Sequence, residues 1–215
     1  MLAKQILILA ITATLLSVSA SAQGEFIERE QSSFELAPLF TFGENANGYG
    51  FSLGYCANGY LGIGFAYAKN DDLNAQGYGP MLAGHLLKNE YGNGLFGASV
   101  YLTFERTKFK IDDTTSIHNT YIIGGAGVYY NYYMNDWLTI QPSFVTTVSV
   151  DLESSWEEGN QSFGDKLSFF QHLGLSFTLT RDETYHPFVT GGLTIPSESS
   201  ESIYGDISIG LIAVF

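Results

Sequence analysis

The sequence is poor in charged residues, and it has only one cysteine. Charged residues make up 14% of its 215 positions, whereas an average soluble domain carries about 25%. Hydrophobic residues reach 45%, a content that also argues against disorder. The single Cys56 excludes an intrachain disulfide. We therefore expect much of the folded chain to face something other than water.

Positive charge is scarcer than negative charge. Nine Lys and Arg residues stand against 22 Asp and Glu residues, which gives a net charge of −13, or −14 if Lys4 is removed with the leader described next. A phosphate backbone would be repelled by this charge, so a nucleic-acid partner is excluded. Aromatic residues at 15% and 24 glycines favour a fold with many strands.

Residues 1–22 have the pattern of a cleaved signal peptide. Lys4 supplies the positive charge, Ile6 to Val18 form the apolar run, and Ala20-Ser21-Ala22 is typical of a cleavage site. The run is too short to cross about 30 Å of hydrocarbon as a helix. Removal of 22 residues from 215 leaves 193, a length that fits one domain.

The rest of the chain alternates apolar and polar residues with period two. From Trp137 to Leu152, and again from Lys166 to Thr180, one face is apolar and the other polar, as in a strand. Both stretches are long for soluble strands, whose usual length is about 5–6 residues, but suit tilted strands that cross a bilayer. The alternation predicts ten strands: Ser33 to Phe42, Tyr49 to Cys56, Tyr60 to Ala68, Gly77 to Leu87, Gly94 to Lys108, Thr120 to Tyr133, Trp137 to Leu152, Lys166 to Thr180, His186 to Ile195, and Ile203 to Phe215.

The connections between these strands alternate in length. Four are short turns: Ala57 to Gly59, Lys88 to Asn93, Met134 to Asp136 and Arg181 to Tyr185. The connections between them are mostly longer. This alternation is typical of an up-and-down membrane barrel, with its termini on the short-turn side. We predict an all-β fold over residues 33–215, a closed antiparallel transmembrane barrel of about ten strands, with eight possible, preceded by a short periplasmic segment at 23–32.

Four prolines fall inside the predicted strands, at positions 38, 80, 142 and 187. Proline cannot donate a backbone hydrogen bond, and every strand of a closed barrel has two neighbours. We therefore expect each proline to mark a bulge or a point near a strand end.

The last strand carries a recognisable pattern. Ser208-Ile-Gly210-Leu-Ile-Ala213-Val-Phe215 resembles the terminal signal of bacterial outer-membrane β-barrel proteins, polar-x-Gly-x-x-apolar-x-aromatic. The segment Gly124 to Leu138 is similar to a hairpin of the small OmpA- and OmpX-type barrels. The resemblance implies assembly by the barrel-assembly machinery and a place in the outer membrane of a Gram-negative bacterium, among lipid and lipopolysaccharide. It also implies that the tyrosines of this hairpin and Trp137 belong to a periplasmic aromatic girdle.

An apolar face turned outward leaves the alternate residues inside the barrel. The charged and titratable members of that set are Glu35, His85, Glu105, Asp151, Lys166 and His172. Charges inside a narrow barrel must be paired or hydrated. The lumen is therefore expected to hold either an ion-pair plug or a narrow water-filled pore. Large solutes should not pass a barrel of eight to ten strands.

We find no motif for hydrolysis. No histidine is followed two positions later by serine, as in outer-membrane lipid-modifying enzymes, and no Asp-x-His pair is present. His172 and Ser176 share a face, but four residues of strand separate them by roughly 13 Å. We expect no enzyme and no cofactor. The alternative is a lipid-modifying enzyme whose Ser and His meet between strands.

The predicted outer loops hold half of the acidic residues: Glu44, Asp71, Asp72, Asp112, Asp113, Glu153, Glu157, Glu158, Asp165, Glu198 and Glu201. Divalent cations shared with lipopolysaccharide could bridge these carboxylates, although solvated loop charge is the simpler interpretation. Solvation is also the simpler interpretation of Asp112, Asp113 and His118, which lie close together in one loop. Trp156 and Phe163 could form an adhesive loop tip. We expect a structural or surface-interaction role, with a narrow pore as one form of it; a secreted lipocalin-like barrel that binds an apolar ligand is the second alternative.

Overall fold

A computed structural model describes residues 31–44, 47–72, 74–110, 116–156, 167–179, 184–197 and 203–215, without the side chains of Leu87 and residues 153–156. These residues form ten strands: β1 (Ser33–Gly43), β2 (Gly48–Ala57), β3 (Leu61–Asn70), β4 (Ala75–Tyr91), β5 (Gly94–Lys110), β6 (Ser116–Asn135), β7 (Leu138–Trp156), β8 (Leu167–Leu179), β9 (Tyr185–Pro196) and β10 (Tyr204–Val214). Among them there is no helix long or apolar enough to cross a membrane. The predicted signal peptide and most of the 23–32 segment lie outside the described residues.

The ten strands close into one barrel. Each strand pairs antiparallel with the next strand along the chain, and β1 pairs with β10 to complete the ring. Backbone hydrogen bonds between Ser32 and Phe215 extend that seam by one more pair. The prediction of a closed, up-and-down antiparallel barrel is confirmed, with ten strands rather than eight.

The side chains divide as the period-two pattern predicts. On β8 the outward residues include Leu173 and Leu175, which are exposed, whereas His172 and Ser176 face inward and are buried. The same division holds along β10, where Ile207 is exposed. An apolar outer surface suits hydrocarbon and a polar interior does not suit an apolar ligand. The lipocalin-like alternative needs the reverse arrangement and is wrong.

Short turns join the strands at one end of the barrel. Asn58 and Gly59 have φ angles of 51° and 68° in the β2–β3 turn, as a type I′ hairpin requires. The β4–β5 turn consists of Gly92 and Asn93 alone. The predicted turn from Lys88 to Asn93 was therefore too long, because β4 continues to Tyr91.

The prolines act differently from the prediction. Register shifts occur at His85/Leu87, Thr120/Tyr121 and Tyr133/Asn135, not at a proline. Pro38 pairs with Phe51 of β2, while the pairing of β1 with β10 is interrupted at Ala37 and Pro38. The expectation of a bulge or strand end was wrong at positions 38, 80 and 142. At each of these prolines the backbone pairing is interrupted with one neighbouring strand and continues with the other. Pro187 lies near the start of β9, as expected.

An aromatic girdle surrounds the short-turn end of the barrel. Tyr132 and Trp137 are exposed there, and Tyr55 stacks on Phe215 with ring centroids 6.2 Å apart. The expectation was wrong for one tyrosine of the hairpin, Tyr129, which is buried in the lumen. It faces inward because it has the same parity on β6 as the buried Asn131.

Candidate functional site

The lumen contains the predicted polar residues, with one outside the described part of the chain. Glu35, His85, Glu105 and His172 are buried and face inward, and Asp151 is partly buried on the same inner surface. Lys166 lies outside the described residues. The sequence pattern therefore gave the correct face for every member of this set that the structure describes.

Two charged residues of the lumen were missed. Asp206 on β10 and Lys88 on β4 are each 2% exposed and face inward. Asp206 shares the inward face of β10 with Ser208, so the alternation already contained this information. Lys88 was assigned to a turn, and the bulge between His85 and Leu87 reverses the face on which it lies.

His172 and Asp206 approach each other across β9. The His172 Nδ1 lies 3.6 Å from Asp206 Oδ2 and 3.2 Å from the hydroxyl oxygen of Thr194. The imidazole lies over Gly192, where a Cβ atom would overlap the ring. This cluster lies near the long-loop end of the lumen, because Asp206 pairs with Thr41, close to the end of β1.

A second acidic group lies on the opposite side of the lumen. Glu105 of β5 pairs with Tyr121 of β6, which pairs with Asp151 of β7, so the three form one row across the inner wall. The Thr107 hydroxyl donates a hydrogen bond of 2.8 Å to Glu105 Oε1.

Glu35 lies at the other end of the lumen. It is the third residue of β1 and pairs with Gly54 and Ile212. Glu35 and Lys88 both interact electrostatically with the buried Cys56, which places an acid and a base near the short-turn end. Six residues separate Glu35 from the level of Thr41 and Asp206, a distance of roughly 20 Å along the strand.

Aromatic rings of the lumen lie against glycines of the neighbouring strand. Tyr101 covers Gly125 and donates or accepts a hydrogen bond with Thr147, and Tyr129 covers Gly97. A Cβ at either glycine would overlap the ring. These two glycines, one on β5 and one on β6, therefore let the rings lie flat along the wall. Apolar side chains complete this side of the lumen: Ala66, Met81, Ala83, Tyr121, Ile123 and Val145.

The geometry around His172 bears on the enzyme alternative. The Ser176 hydroxyl forms a hydrogen bond of 2.7 Å with Thr190, on another part of the wall. Ser143 is closer: a Cβ built on Gly174 would lie 2.6 Å from Ser143 Oγ and 3.2 Å from His172 Nε2. The strands thus bring a serine, His172 and Asp206 into one region, which the sequence spacing did not predict. All three lie on the inner side of the barrel wall.

The residues of the predicted assembly signal have definite places in β10. Ser208 is buried, and its hydroxyl donates a hydrogen bond of 2.8 Å to the Pro38 carbonyl oxygen, in the stretch where the β1–β10 pairing lapses. Gly210 lies under the Phe188 ring. Ala213 and Phe215 share the outward face. Recognition of this segment by the assembly machinery stays a prediction.

Little of the predicted loop chemistry falls on described residues. Asp71 accepts a 2.5 Å contact from Lys69 Nζ, and Asp72 accepts hydrogen bonds from the backbone and side-chain nitrogens of Asn47. Trp156 is the last residue of β7, but the structure does not describe its side chain. Phe163, Asp112 and Asp113 lie outside the described residues. Within the described ranges, no three His, Cys, Asp or Glu side chains are grouped to hold a metal ion.

Comparison with known proteins shows likeness in structure only. No protein-family model and no curated protein sequence matches the chain. The KdgM porin is 10% identical, with a TM-score of 0.42, over 85% of this chain and 99% of that one. Ail, the attachment invasion locus protein of Yersinia pestis, is 11% identical, with a TM-score of 0.32, over 87% of this chain and 100% of its own. The transport unit of the autotransporter AIDA-I from Escherichia coli is 12% identical, with a TM-score of 0.45, over 94% of this chain and 96% of that one. At these identities the likeness concerns the barrel fold, and membership of the OmpA- and OmpX-type family stays a prediction.

Proposed function

We propose that this protein is an integral outer-membrane β-barrel whose narrow, hydrated lumen passes small cations in preference to anions. The observation that carries the proposal is the excess of acid on the inner wall. Of the described charged residues that face the lumen, four are carboxylates and one is a lysine: Glu35, Glu105, Asp151, Asp206 and Lys88.

Unsatisfied polar atoms support a hydrated lumen. Both carboxylate oxygens of Glu35 and Asp206 have no hydrogen-bond partner among the described residues, and neither has Oε2 of Glu105. The hydroxyls of Thr41 and Thr178 likewise have no hydrogen-bond partner among the described residues. Buried polar groups nearly always have a hydrogen-bond partner, and water is the partner that a polar lumen can supply. These atoms occur at both ends of the lumen, as a continuous path requires.

The size of the barrel limits what can pass. Side chains nearly fill a barrel of eight strands, and ten strands widen it only a little. The rings that lie flat on Gly97 and Gly125 leave more of the axis free than rings pointing inward would. We therefore propose a path for hydrated ions rather than for large solutes.

A surface-interaction role and a role without enzymatic chemistry, both inferred from the sequence, are further proposals. Surface interaction through Trp156 and Phe163 depends on side chains outside the description. A role without enzymatic chemistry agrees with the position of Ser143 and His172 inside the wall, where a membrane lipid has no access from the bilayer.

Ion selectivity in planar bilayers tests the proposal. We expect the folded barrel to conduct in single steps and to show a cation-selective reversal potential in a KCl gradient. The double substitution Glu105→Gln and Asp206→Asn should shift that potential toward the non-selective value, because it removes two of the four lumenal carboxylates. Lys88→Gln should shift it the opposite way.

A matched control is available in Asp136, which is exposed in the turn between β6 and β7. Asp136→Asn removes the same charge outside the strands that line the lumen and should leave the reversal potential nearly unchanged. A correctly folded barrel that carries no current would overturn the pore and favour the plug.

A further inference from the structure

The positive charges of the described chain are concentrated on one part of the outer wall. Five Lys and Arg residues lie within the described ranges, and four of them, Lys69, Arg106, Lys108 and Lys110, face outward at the long-loop ends of β3 and β5. The fifth is the lumenal Lys88. Because the chain has a net charge of −13, a group of four cations distinguishes this part of the outer wall from the rest of the protein.

The strand register brings these cations into adjacent rows. The first row runs across five strands through Tyr49, Lys69, Gln76, Lys108 and His118. The next row toward the middle of the barrel runs through Phe51, Tyr67, Tyr78, Arg106 and Thr120. Arg106, Lys108 and Lys110 follow one another at every second residue, about 7 Å apart along β5. We call the group Lys69, Arg106, Lys108, Lys110 and His118 the basic wall.

Aromatic residues mark the depth of the basic wall in the membrane. The tyrosines of the second row, Tyr67 and Tyr78, face outward, and the Tyr78 ring lies 6.4 Å from that of Phe65. Below them the outward residues are apolar, with Leu53 opposite Phe65. Tyrosine is enriched where the headgroups meet the hydrocarbon. From the loops inward, the row of Lys69 and Lys108 comes first, then the tyrosine row that also holds Arg106, and then apolar residues. This order puts the basic wall level with the headgroups of the outer leaflet.

Elsewhere on the outer wall, the described side chains do not change from apolar to basic toward the long loops. At the long-loop ends of β1, β7, β8 and β10 the outward side chains are still large and apolar: Phe42, Leu152, Leu167, Phe169 and Ile203. The basic wall is thus a feature of the sector from β3 to β6 and not of the whole rim.

We propose that the basic wall binds the phosphate groups of a phosphorylated outer-leaflet lipid of the lipopolysaccharide type. This inference rests on the outer-membrane placement in the proposed function. A lipid whose chains lie against the apolar wall below presents its phosphates at the level of the cations. Arg106 offers paired donors that match two phosphate oxygens, and Lys108 and Lys110 add compact charges beside it.

Lys69 has a supporting part in this surface. Its Nζ contacts Asp71 at 2.5 Å and lies 5.5 Å from the centroid of the Tyr49 ring. The Asp71 carboxylate offsets part of its charge, so Arg106 and Lys108 should contribute most to lipid binding. Gln76 lies between Lys69 and Lys108 in the first row, and a cation there would join the two.

Lipid binding to the full-length, folded protein in a nonionic detergent tests the proposal, with native mass spectrometry as the readout. The probes are bisphosphorylated lipid A, the same lipid without its phosphates, and inorganic phosphate. We expect bisphosphorylated lipid A to bind at least about tenfold more tightly than the dephosphorylated form. Arg106→Gln with Lys108→Gln should weaken its binding by about tenfold or more, since each cation near a membrane surface contributes to anion attraction.

Three further variants sharpen the test. Arg106→Lys with Lys108→Arg keeps both charges and should retain binding within a few-fold, Gln76→Lys should strengthen it, and Lys88→Gln removes a lysine from the lumen and should leave it unchanged. Folding of every variant is checked by the shift in gel mobility on boiling. Bilayer conductance measured on the Arg106 and Lys108 double variant should stay as in the unmodified protein, so loss of the pore and loss of the lipid site are separate results.

Three results would overturn the inference: equal binding of phosphorylated and dephosphorylated lipid A, unchanged binding by the folded double variant, or full displacement of the lipid by an equal concentration of inorganic phosphate. The last result would mean that the surface takes free phosphate and not a membrane lipid.

Discussion

The two surfaces of the barrel wall are built by the same strands under different rules. On β8, Leu173 and Leu175 face outward, where any large apolar side chain serves. On the inner surface of the same strand, His172 requires Thr194 and Asp206 beside it, and Gly192 under its ring. The apolar part of the outer surface is thus specified by composition alone, whereas the inner surface depends on particular pairs of residues.

A charge placed on the outer surface should have the largest effect. Leu173 lies at the middle of β8 and is 48% exposed on the outward face. Leu173→Arg should lower the free energy of unfolding by about 2–4 kcal/mol, because the guanidinium would lie in hydrocarbon. Urea unfolding of the barrel in lipid vesicles, followed by gel mobility without boiling, measures the change.

Leu167→Arg is the control on the same strand and the same face. Leu167 begins β8 at the long-loop end, where the cost of arginine should fall to about 0–1 kcal/mol. Equal destabilisation by the two substitutions would contradict the assignment of the outer surface to lipid.

The period-two pattern explains why the fold was predictable. Alternation is local, so the ten strands and their outward faces follow from neighbouring residues, and Glu35, Glu105 and His172 were placed inside correctly. Asp206 was also within reach, two positions before Ser208 on the same face. The inward position of Lys88 could not be predicted, because a bulge inserts one extra residue and a period-two pattern gives no sign of it.

Contacts between lumenal side chains of different strands could not be predicted from the sequence for a different reason. The approach of His172 to Asp206, and of Ser143 to His172, depends on the register of several strand pairs. The pairs concerned are β7–β8, β8–β9 and β9–β10, and a slip of one residue in any of them would change every partner. Most members of the lumenal site could be named from the sequence, but not the residues that each of them contacts.

The inner surface can be tested at adjacent glycines of β6. Gly125→Ala would put a methyl group where the Tyr101 ring lies, so we expect a loss of stability of about 1–3 kcal/mol from overpacking. Gly124→Ala should cost less, because its Cβ would meet only the Tyr101 carbonyl oxygen at 4.0 Å. The same urea titration compares the two.

Removal of the ring tests the mechanism directly. If the clash with Tyr101 causes the loss, adding Gly125→Ala to Tyr101→Ala should cost much less than adding it to the unmodified barrel. The same cost in both backgrounds would show that the glycine matters for the strand itself and not for the lumenal ring.

The smallest effect is expected where the chain faces neither lipid nor lumen. At the turn between β6 and β7, the Asn135 side-chain oxygen accepts backbone hydrogen bonds from Trp137, at 3.1 Å, and Leu138, at 3.0 Å. Asn135→Ala should cost about 0.5–1.5 kcal/mol, because water replaces part of what the exposed turn loses. Asn135→Asp keeps the acceptor and should lose less in the same titration. A cost for Asn135→Ala as large as that of Leu173→Arg would mean that turn geometry, and not the division between outer and inner surfaces, limits the stability of the barrel.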